Sequence, residues 1–454
     1  QILSFYKEIT MFHHKTTYPS HSKIFPVILI ISYFLILFIW SSHQPFDTCP
    51  DEKMRYVISQ YIYENNALPR ADDASIIDKK FGFSYAGRPV LSSILSAFFM
   101  KIRSLFPSSE FSLLMAARME NILCGIGFMI VVMAISRELF QNRKTQYFFT
   151  ILTCFWPQCA FLFTYVNSDG LAMLAVSLIL YCWINGLKHS WRVTDCLLLG
   201  IGLSIGMLSY YNIYGFILCS AVLFLFYFIT VDHSNGKYKK MLTHGALIAV
   251  IVLLLSGWFF IRNAVLYQGD FFSFRTTAKM GNTYGEYGFR PKDWTGNSMA
   301  FLSTPAGVIK WGLLTCRSFI GCFGYMSIPL KWWMYITYIC EIAICLLAFF
   351  IGLKKKKTGS SDTGKHTPFP GYTLFCICSL ASCFITLILF IVYNLEGYQP
   401  QGRYILPILL PVTFLLSKGM ENLQTFFPSI SKRLMPLILL LNSLIFLLLP
   451  SLVM

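Results

Sequence analysis

The stretch IFPVILIISYFLILFIW (Ile24 to Trp40), followed ten residues on by Pro50-Asp51-Glu52-Lys53-Met54-Arg55-Tyr56, decides how this chain is read. The first part is apolar throughout and long enough to cross most of a bilayer. The second sets two adjacent carboxylates just beyond that crossing, with an arginine and a tyrosine after them. Charge so close to hydrocarbon is costly, which makes the pair a poor membrane anchor. It suits a catalytic pocket at the membrane surface.

Composition carries the reading to the whole chain. The 454 residues are 56% hydrophobic, 17% aromatic and only 13% charged, where a soluble globular protein carries about 25% charged residues. Long apolar runs recur from end to end, so the expected fold class is an all-α polytopic membrane protein. Residues 1–23 are polar and basic, and no small-residue cleavage pattern follows the first apolar run. That run is therefore expected to be a retained first span.

The net charge of +16 falls in short gaps between apolar runs: Arg137–Lys144, Lys188–Arg192, Lys237–Lys240, Lys354–Lys357 and Lys418–Arg433. Placing these gaps on the cytoplasmic side satisfies the positive-inside rule. The charge then reports orientation and contact with anionic lipid, and no nucleic-acid partner is expected. The 14 cysteines include no CxxC pair. Those in apolar runs, such as Cys124, Cys154, Cys182 and Cys219, read as small fillers. Cys316 and Cys322 share an external stretch, but no disulfide or metal role is assigned to them.

With the N-terminus inside, spans fall near 24–40, 111–136, 147–166, 170–187, 195–210, 213–230, 242–262, 332–353, 371–393, 404–418 and 435–453, about eleven crossings. Residues 89–106 are apolar too, but counting them as a span would put Arg137, Arg143 and Lys144 outside. Lys101 and Arg103 suit a helix lying in the outer interface instead. The chain thus divides into a membrane module, 1–262, with a long first external loop at 41–110; an aromatic-rich external stretch, 263–331; and C-terminal membrane helices, 332–454. The first loop is expected to hold a helix near 51–66. No tandem repeat is visible, and no matched pair of interrupted spans of the transporter kind.

Under this topology the unusual polar groups share one side of the membrane. Asp51, Glu52, Arg55 and Arg88 lie in the first loop, and Arg118 near the outer end of the second span. Asn167-Ser168-Asp169 is a turn between spans, Arg262 ends one span, and Arg403 opens another. Acids and arginines from separate segments support transfer of a sugar from a lipid-linked phosphate. A carboxylate accepts the proton of the attacking hydroxyl, near neutral pH if burial raises its pKa. Arginines grip the departing phosphate by forked hydrogen bonds. Tyr284, Tyr287, Phe289 and Trp294 are candidates to stack on sugar rings.

The order of motifs resembles the GT-C superfamily of polyprenyl-phosphate-sugar-dependent glycosyltransferases. Pro50-Asp51-Glu52-Lys53-Met54-Arg55-Tyr56 is similar to a signature of bacterial aminoarabinose transferases and protein mannosyltransferase relatives. Gly87-Arg88-Pro89 resembles their Lys-Pro, and Asp169 falls where they carry a second external carboxylate. With Val166-Asn167-Ser168-Asp169 and Gln401-Gly402-Arg403-Tyr404, the set looks closest to a broad bacterial family of membrane glycosyltransferases of largely undefined substrate. The resemblance implies a GT-C fold and an inverting transfer to a cell-envelope polysaccharide, lipid or protein on the outer face of the plasma membrane. It implies Asp51 as base, with Glu52 or Asp169 orienting the acceptor hydroxyl. Donor phosphate would lie near Arg88 and Arg403, with Arg55 and Arg262 as further candidates, and Tyr56, Tyr284, Trp294, Gln401 and Tyr404 near acceptor or sugar. Two residues separate Glu52 from Arg55 where the aminoarabinose enzymes have one, which leaves Asp51 and Arg55 as i,i+4 neighbours on one helix face.

Plainer readings stand beside these. Asp51 and Glu52 also suit a helix start, where acids cap amides and offset the macrodipole. Asn-Ser-Asp-Gly is an ordinary turn sequence, and Arg88, Arg262 and Arg403 suit headgroup contacts. A divalent metal held by His43 and Asp47 beside the acids is the one cofactor left open. A polysaccharide polymerase or ligase would join whole oligosaccharide blocks. A lipid or solute transporter would give flux without covalent product.

Overall fold

The computed structural model describes residues 24–293, 299–357 and 369–453. Among these, nine helical segments are long and apolar enough to cross a membrane. They include α1 (Ile24–His43), α4 (Glu110–Leu139), α7 (Asp169–Lys188), α9 (Tyr214–Thr230, prolonged upstream by a 3-10 turn) and a 30-residue segment, Lys237–Leu266. That segment runs through α10 (Lys237–Val252), a π-helical turn at Leu253–Gly257 and α11 (Trp258–Leu266). The last four are α14 (Trp332–Lys357), α15 (Tyr372–Glu396), α16 (Leu409–Phe426, after a 3-10 turn) and α17 (Pro428–Leu448).

The other two expected crossings are shorter. The span expected at 147–166 is broken into α5 (Arg143–Cys154) and α6 (Pro157–Leu162). Pro157 has no N–H to continue the helix, so the backbone turns at Phe155–Trp156. Every residue from Phe148 to Thr164 is buried in the bundle, which is where irregular backbone is tolerated at membrane depth. The span expected at 195–210 is α8 (Val193–Met207), 15 residues.

One end of the bundle gathers the basic gaps. Lys188 Nζ bonds Glu138 Oε2 at 2.6 Å, Asn142 Nδ2 bonds Gln424 Oε1 at 2.6 Å, and Lys418 lies over the Phe140 ring at 5.0 Å. The other end carries the first loop, the 167–169 turn and the 397–403 segment. Between α1 and α4 the first loop folds into α2 (Glu52–Asn65) and α3 (Leu91–Arg103). The latter is not a crossing: its serine and alanine face packs on α4 through Ser96 Oγ to Ala117 O, while Phe98 and Ile102 point out.

The described residues of the stretch 263–331 are largely folded. They hold α12 (Phe274–Tyr284), α13 (Pro305–Gly321) and a hairpin of β1 (Cys322–Phe323) with β2 (Ile328–Pro329). None of the 14 cysteines is in a disulfide, Cys316 being exposed and Cys322 buried.

Helices α14 and α16 approach closely because Gly419 has no side chain. A Cβ there would lie 1.9 Å from the Cys345 carbonyl oxygen. Small residues allow such approach where no hydrophobic drive separates lipid from protein. Gly419→Ala is expected to cost about 1–3 kcal/mol by overpacking. Thermal unfolding in detergent checks it, with Gly312→Ala, which meets nothing within 4 Å, as control.

Candidate active site

The site begins with backbone shape. Asp51 precedes α2 with φ 65°, left-handed, and its side chain makes no capping hydrogen bond to the helix. Aspartate tolerates this region better than most residues. Freed from capping, its carboxylate reaches the segment that opens the α16 span, where Arg403 Nη2 donates to Asp51 Oδ2 at 2.6 Å. The same guanidinium stands 3.9 Å from Asp169 Oδ2 at the start of α7. Three residues separated by more than a hundred positions thus share one point, where Arg403 and Asp169 are buried and Asp51 keeps partial exposure. Asp51 lies beside Arg403 and not in bulk solvent.

Arg403 is supported from α13. Ser318 Oγ accepts the Gly402 N–H at 2.6 Å. A Cβ on Gly402 would lie 2.1 Å from Phe319 N, so only glycine lets this segment lie against the helix. A second line of bonds runs from Trp311 Nε1 to Asn394 Oδ1, which also accepts from the Gln399 N–H. Gln399 Oε1 then accepts from Tyr404 Oη at 2.7 Å, and Tyr404 Oη accepts from Arg403 Nη2 at 3.1 Å. Gln401 is half-buried, and its side chain donates from Nε2 to Gln399 Oε1 at 3.4 Å. Arg403 Nε and Asp169 Oδ1 are buried without a protein partner. Buried polar groups left open in this way are where a substrate can bond.

Arg55 and Arg88 are held by rings rather than carboxylates. The Arg55 guanidinium lies 4.4 Å from the Tyr85 ring and 5.5 Å from Tyr210. Arg88 lies 4.9 Å from Phe274 and 5.5 Å from Tyr211, and its Nε is buried with no partner. Such contacts orient a guanidinium while leaving its N–H edge for an anion. Tyr210 also stacks on Tyr404, at 6.4 Å. Tyr393 lies close enough to Asp51, Arg403 and Arg88 to feel all three charges.

Glu52 does something other than expected. Arg118 Nε and Nη2 donate to its two oxygens at 2.8 and 3.0 Å, and both side chains are fully buried. Each oxygen accepts one further bond, Oε1 from the Val166 N–H and Oε2 from the Asp47 N–H. All the lone-pair sites of the carboxylate are occupied. Arg118 also donates to the Ser41, Gln44 and Pro45 carbonyls. Glu52 is therefore a joint between segments and has no free oxygen to orient a hydroxyl.

Other expected residues lie apart. Arg262 Nη2 bonds the Leu68 and Pro69 carbonyls, tying α11 to the first loop. Tyr56 packs edge-on to Phe46 and among Met100, Leu114 and Val166. Tyr284 is exposed at the end of α12, and Tyr287 is more so. Trp294 lies outside the described residues. His43 Nδ1 contacts the Ile39 carbonyl and Asp47 Oδ1 accepts from Tyr325. Among the described residues no group of three or more His, Cys, Asp or Glu side chains is arranged to hold an ion.

The Asp51 carboxyl was expected to be raised by burial. Burial does push it up, but the charges of Arg403 and then Arg55, with hydrogen bonds from Arg403 and Tyr85, outweigh it and hold it below the usual range. The Tyr85 phenol is pushed well up, by burial and then by the Asp51 charge, so it stays a donor.

Comparison with known proteins bears on this geometry. Residues 88–260 match the family model of dolichyl-phosphate-mannose-protein mannosyltransferases. The match takes in Arg88, Arg118, Asp169 and Tyr210 but neither Asp51 nor Arg403. Among solved structures, the oligosaccharyltransferase of Archaeoglobus fulgidus in the apo form aligns at 13% identity with a TM-score of 0.54, covering 95% of this chain and 56% of that one. The archaeal oligosaccharyltransferase AglB from the same organism, with an inhibitory peptide and a dolichol-phosphate, aligns at 13% identity and 0.53, with the same coverage. The fold is that of the GT-C membrane glycosyltransferases. The chain spans little more than half the length of those two proteins. ArnT from Cupriavidus metallidurans aligns at 16% identity over 89% of this chain and 78% of that one, with a TM-score of 0.40, too loose a superposition to carry inference. No curated protein matches by sequence.

Two outcomes are expected. Arg118→Met leaves Glu52 as a buried charge without a cation and should cost about 3–5 kcal/mol. In thermal unfolding the double variant Glu52→Gln, Arg118→Met should recover part of that loss. The second concerns pH. A depressed Asp51 pKa stabilises the fold above the unfolded value, and that stability is lost only as pH falls through the lower folded value. From about pH 7 to pH 5 the wild-type contribution is then flat. In Arg403→Gln burial is opposed only by Arg55 and the Tyr85 hydrogen bond, and Asp51 should titrate higher. The folded state then binds the extra proton, so the variant should gain stability relative to wild type as pH falls. Melting temperatures across this range check it: a constant gap between the proteins would mean that Arg403 does not control Asp51.

Proposed function

We propose that the protein is an inverting glycosyltransferase that moves a sugar from a polyprenyl-phosphate donor to a hydroxyl of a cell-envelope polysaccharide, lipid or protein. The site would face the extracytoplasmic side of the plasma membrane, opposite the basic end of the bundle. The observation that carries this is the meeting of Asp51, Arg403 and Asp169 at one end of a membrane bundle. The fold, and the family-model match at 88–260, support the reaction class. A dolichol-phosphate is bound in one structure of the archaeal oligosaccharyltransferase, and an acceptor peptide containing the NVT sequon is tethered in another. Both support a lipid phosphate donor and leave a protein acceptor among the choices.

In this reading Asp51, ionised, takes the proton of the acceptor hydroxyl as its oxygen attacks the anomeric carbon. The bond from that carbon to the phosphate oxygen breaks on the opposite face, and the electron pair leaves with the lipid phosphate. Arg88, with Arg55, meets the growing phosphate charge through N–H edges that their aromatic neighbours leave open. A low-pKa aspartate is a weak base, so proton acceptance comes late, after much of the leaving-group bond has broken. Asp169 Oδ1, buried and unpartnered, orients the acceptor hydroxyl. Arg403 keeps Asp51 charged and in place. Glu52, proposed above for the acceptor, is replaced in that role by Asp169 and holds the Asp51 turn through Arg118. Arg262 spends Nη2 on the Leu68 and Pro69 carbonyls, while its buried Nη1 has no protein partner and keeps it a further candidate for the phosphate.

The test is label transfer from a panel of radiolabelled polyprenyl-phosphate sugars to membrane extract by the purified protein. Asp51→Asn should lower transfer at least about 10²-fold while donor binding changes little and the protein still folds, with a melting temperature lowered by the lost pairing with Arg403. Normal turnover in that variant removes Asp51 as base.

A further inference from the structure

Helix α13 has two faces with different tasks. Trp311, Thr315 and Ser318 point inward, where Ser318 and Trp311 hold the Gly402 and Gln399 segment. At 100° per residue, Lys310 and Arg317 share a stripe on the far side, about 10.5 Å apart along the axis. Between and beside them lie Ala306, Ile309, Leu313 and Leu314, and together the six line a groove of about 460 Å³. Lys310, Arg317, Ile309 and Leu313 are exposed. Neither cation forms an ion pair with a described carboxylate; the contact of Arg317 is with Cys322 Sγ, at 3.7 Å.

The level of this groove is marked by aromatic residues. Tyr335 Oη donates to the Gly321 carbonyl at the end of α13, and Leu330 packs where a Gly321 side chain would go. Trp332 is 83% exposed and Trp333 39% at the point where α14 enters the membrane. Exposed tryptophans at the head of a span mark the interface where lipid headgroups lie. Two cations at that level with an apolar trough between them complement an anionic amphiphile in charge and in shape.

We propose that this face of α13 binds an anionic phospholipid of the surrounding bilayer, its phosphate between Lys310 and Arg317 and an acyl chain along Ala306, Ile309, Leu313 and Leu314. The body of the helix separates that phosphate from Arg403, so it is not the reacting one, and the inference does not rest on the proposed transfer reaction. Because the inner face holds Gly402, a lipid bound outside braces the segment that carries Arg403.

Native mass spectrometry of the purified full chain, titrated with phosphatidylglycerol or phosphatidylcholine, tests it. The wild type should bind phosphatidylglycerol preferentially, and Lys310→Gln with Arg317→Gln should weaken that binding about tenfold or more. The charge-keeping pair Lys310→Arg with Arg317→Lys should retain it, which separates lost charge from misfolding. Lys432→Gln with Arg433→Gln, at the other end of the bundle, should leave in place the part of the binding that the Lys310 and Arg317 glutamine pair removes. Equal binding of the two lipids by the wild type, or unchanged phosphatidylglycerol binding in the glutamine pair, overturns the proposal. So does displacement of the bound phosphatidylglycerol by polyprenyl phosphate at equal concentration, which would hand the groove to a donor lipid.

Discussion

The fully buried pair of Glu52 and Arg118 is the interaction on which the site depends. Two charges out of water are a large cost, recovered only when the geometry is good and every remaining donor and acceptor is used. Here they are used on backbone. Arg118 gathers the carbonyls at the end of α1, and Glu52 takes the amides of Asp47 and Val166. Three stretches far apart in the chain, 41–52, the α4 segment at Arg118 and the turn at Val166, therefore meet with one relative placement. That placement fixes the left-handed turn at Asp51 and sets Val166, three residues before Asp169, beside it.

On this frame Arg403 meets two acids and satisfies neither completely. Asp51 receives a short bond, whereas Asp169 receives one longer contact and keeps a bare oxygen. Such incompleteness costs stability in a buried place, and it is the kind of defect that binding sites retain. The aromatic residues around it act differently. Tyr85, Tyr210, Tyr211 and Phe274 hold Arg55 and Arg88 by their faces, which fixes the guanidinium planes without neutralising them.

Much of this was legible in the chain. Apolar runs and basic gaps gave the membrane class and put the polar groups at one end, because hydropathy and charge act locally along the sequence. The first loop read correctly as α2 and α3, since Lys101 and Arg103 and the serine face of 91–103 are local properties. Tyr210 and Tyr211 were missed, though adjacent tyrosines between two spans at the polar end were a visible signal. Tyr85 and Gln399 carried no signal at all: each matters only through a partner remote in sequence.

The sequence by itself determined that the chain crosses a membrane many times and that its acids and arginines collect on one side. It also held the pieces of the site in Asp51, Arg55, Arg88, Asp169 and Arg403. Only the tertiary structure decided which acid was free. Two neighbouring carboxylates, Asp51 and Glu52, look alike in sequence, but they point to opposite partners. Asp51, in a left-handed turn, reaches Arg403 and keeps some exposure, and Glu52, the first residue of α2, is sealed against Arg118. The physical reason is that a carboxylate's role depends on what fills its lone pairs, and the charged partners, Arg118 for Glu52 and Arg403 for Asp51, lie 66 and 352 positions away.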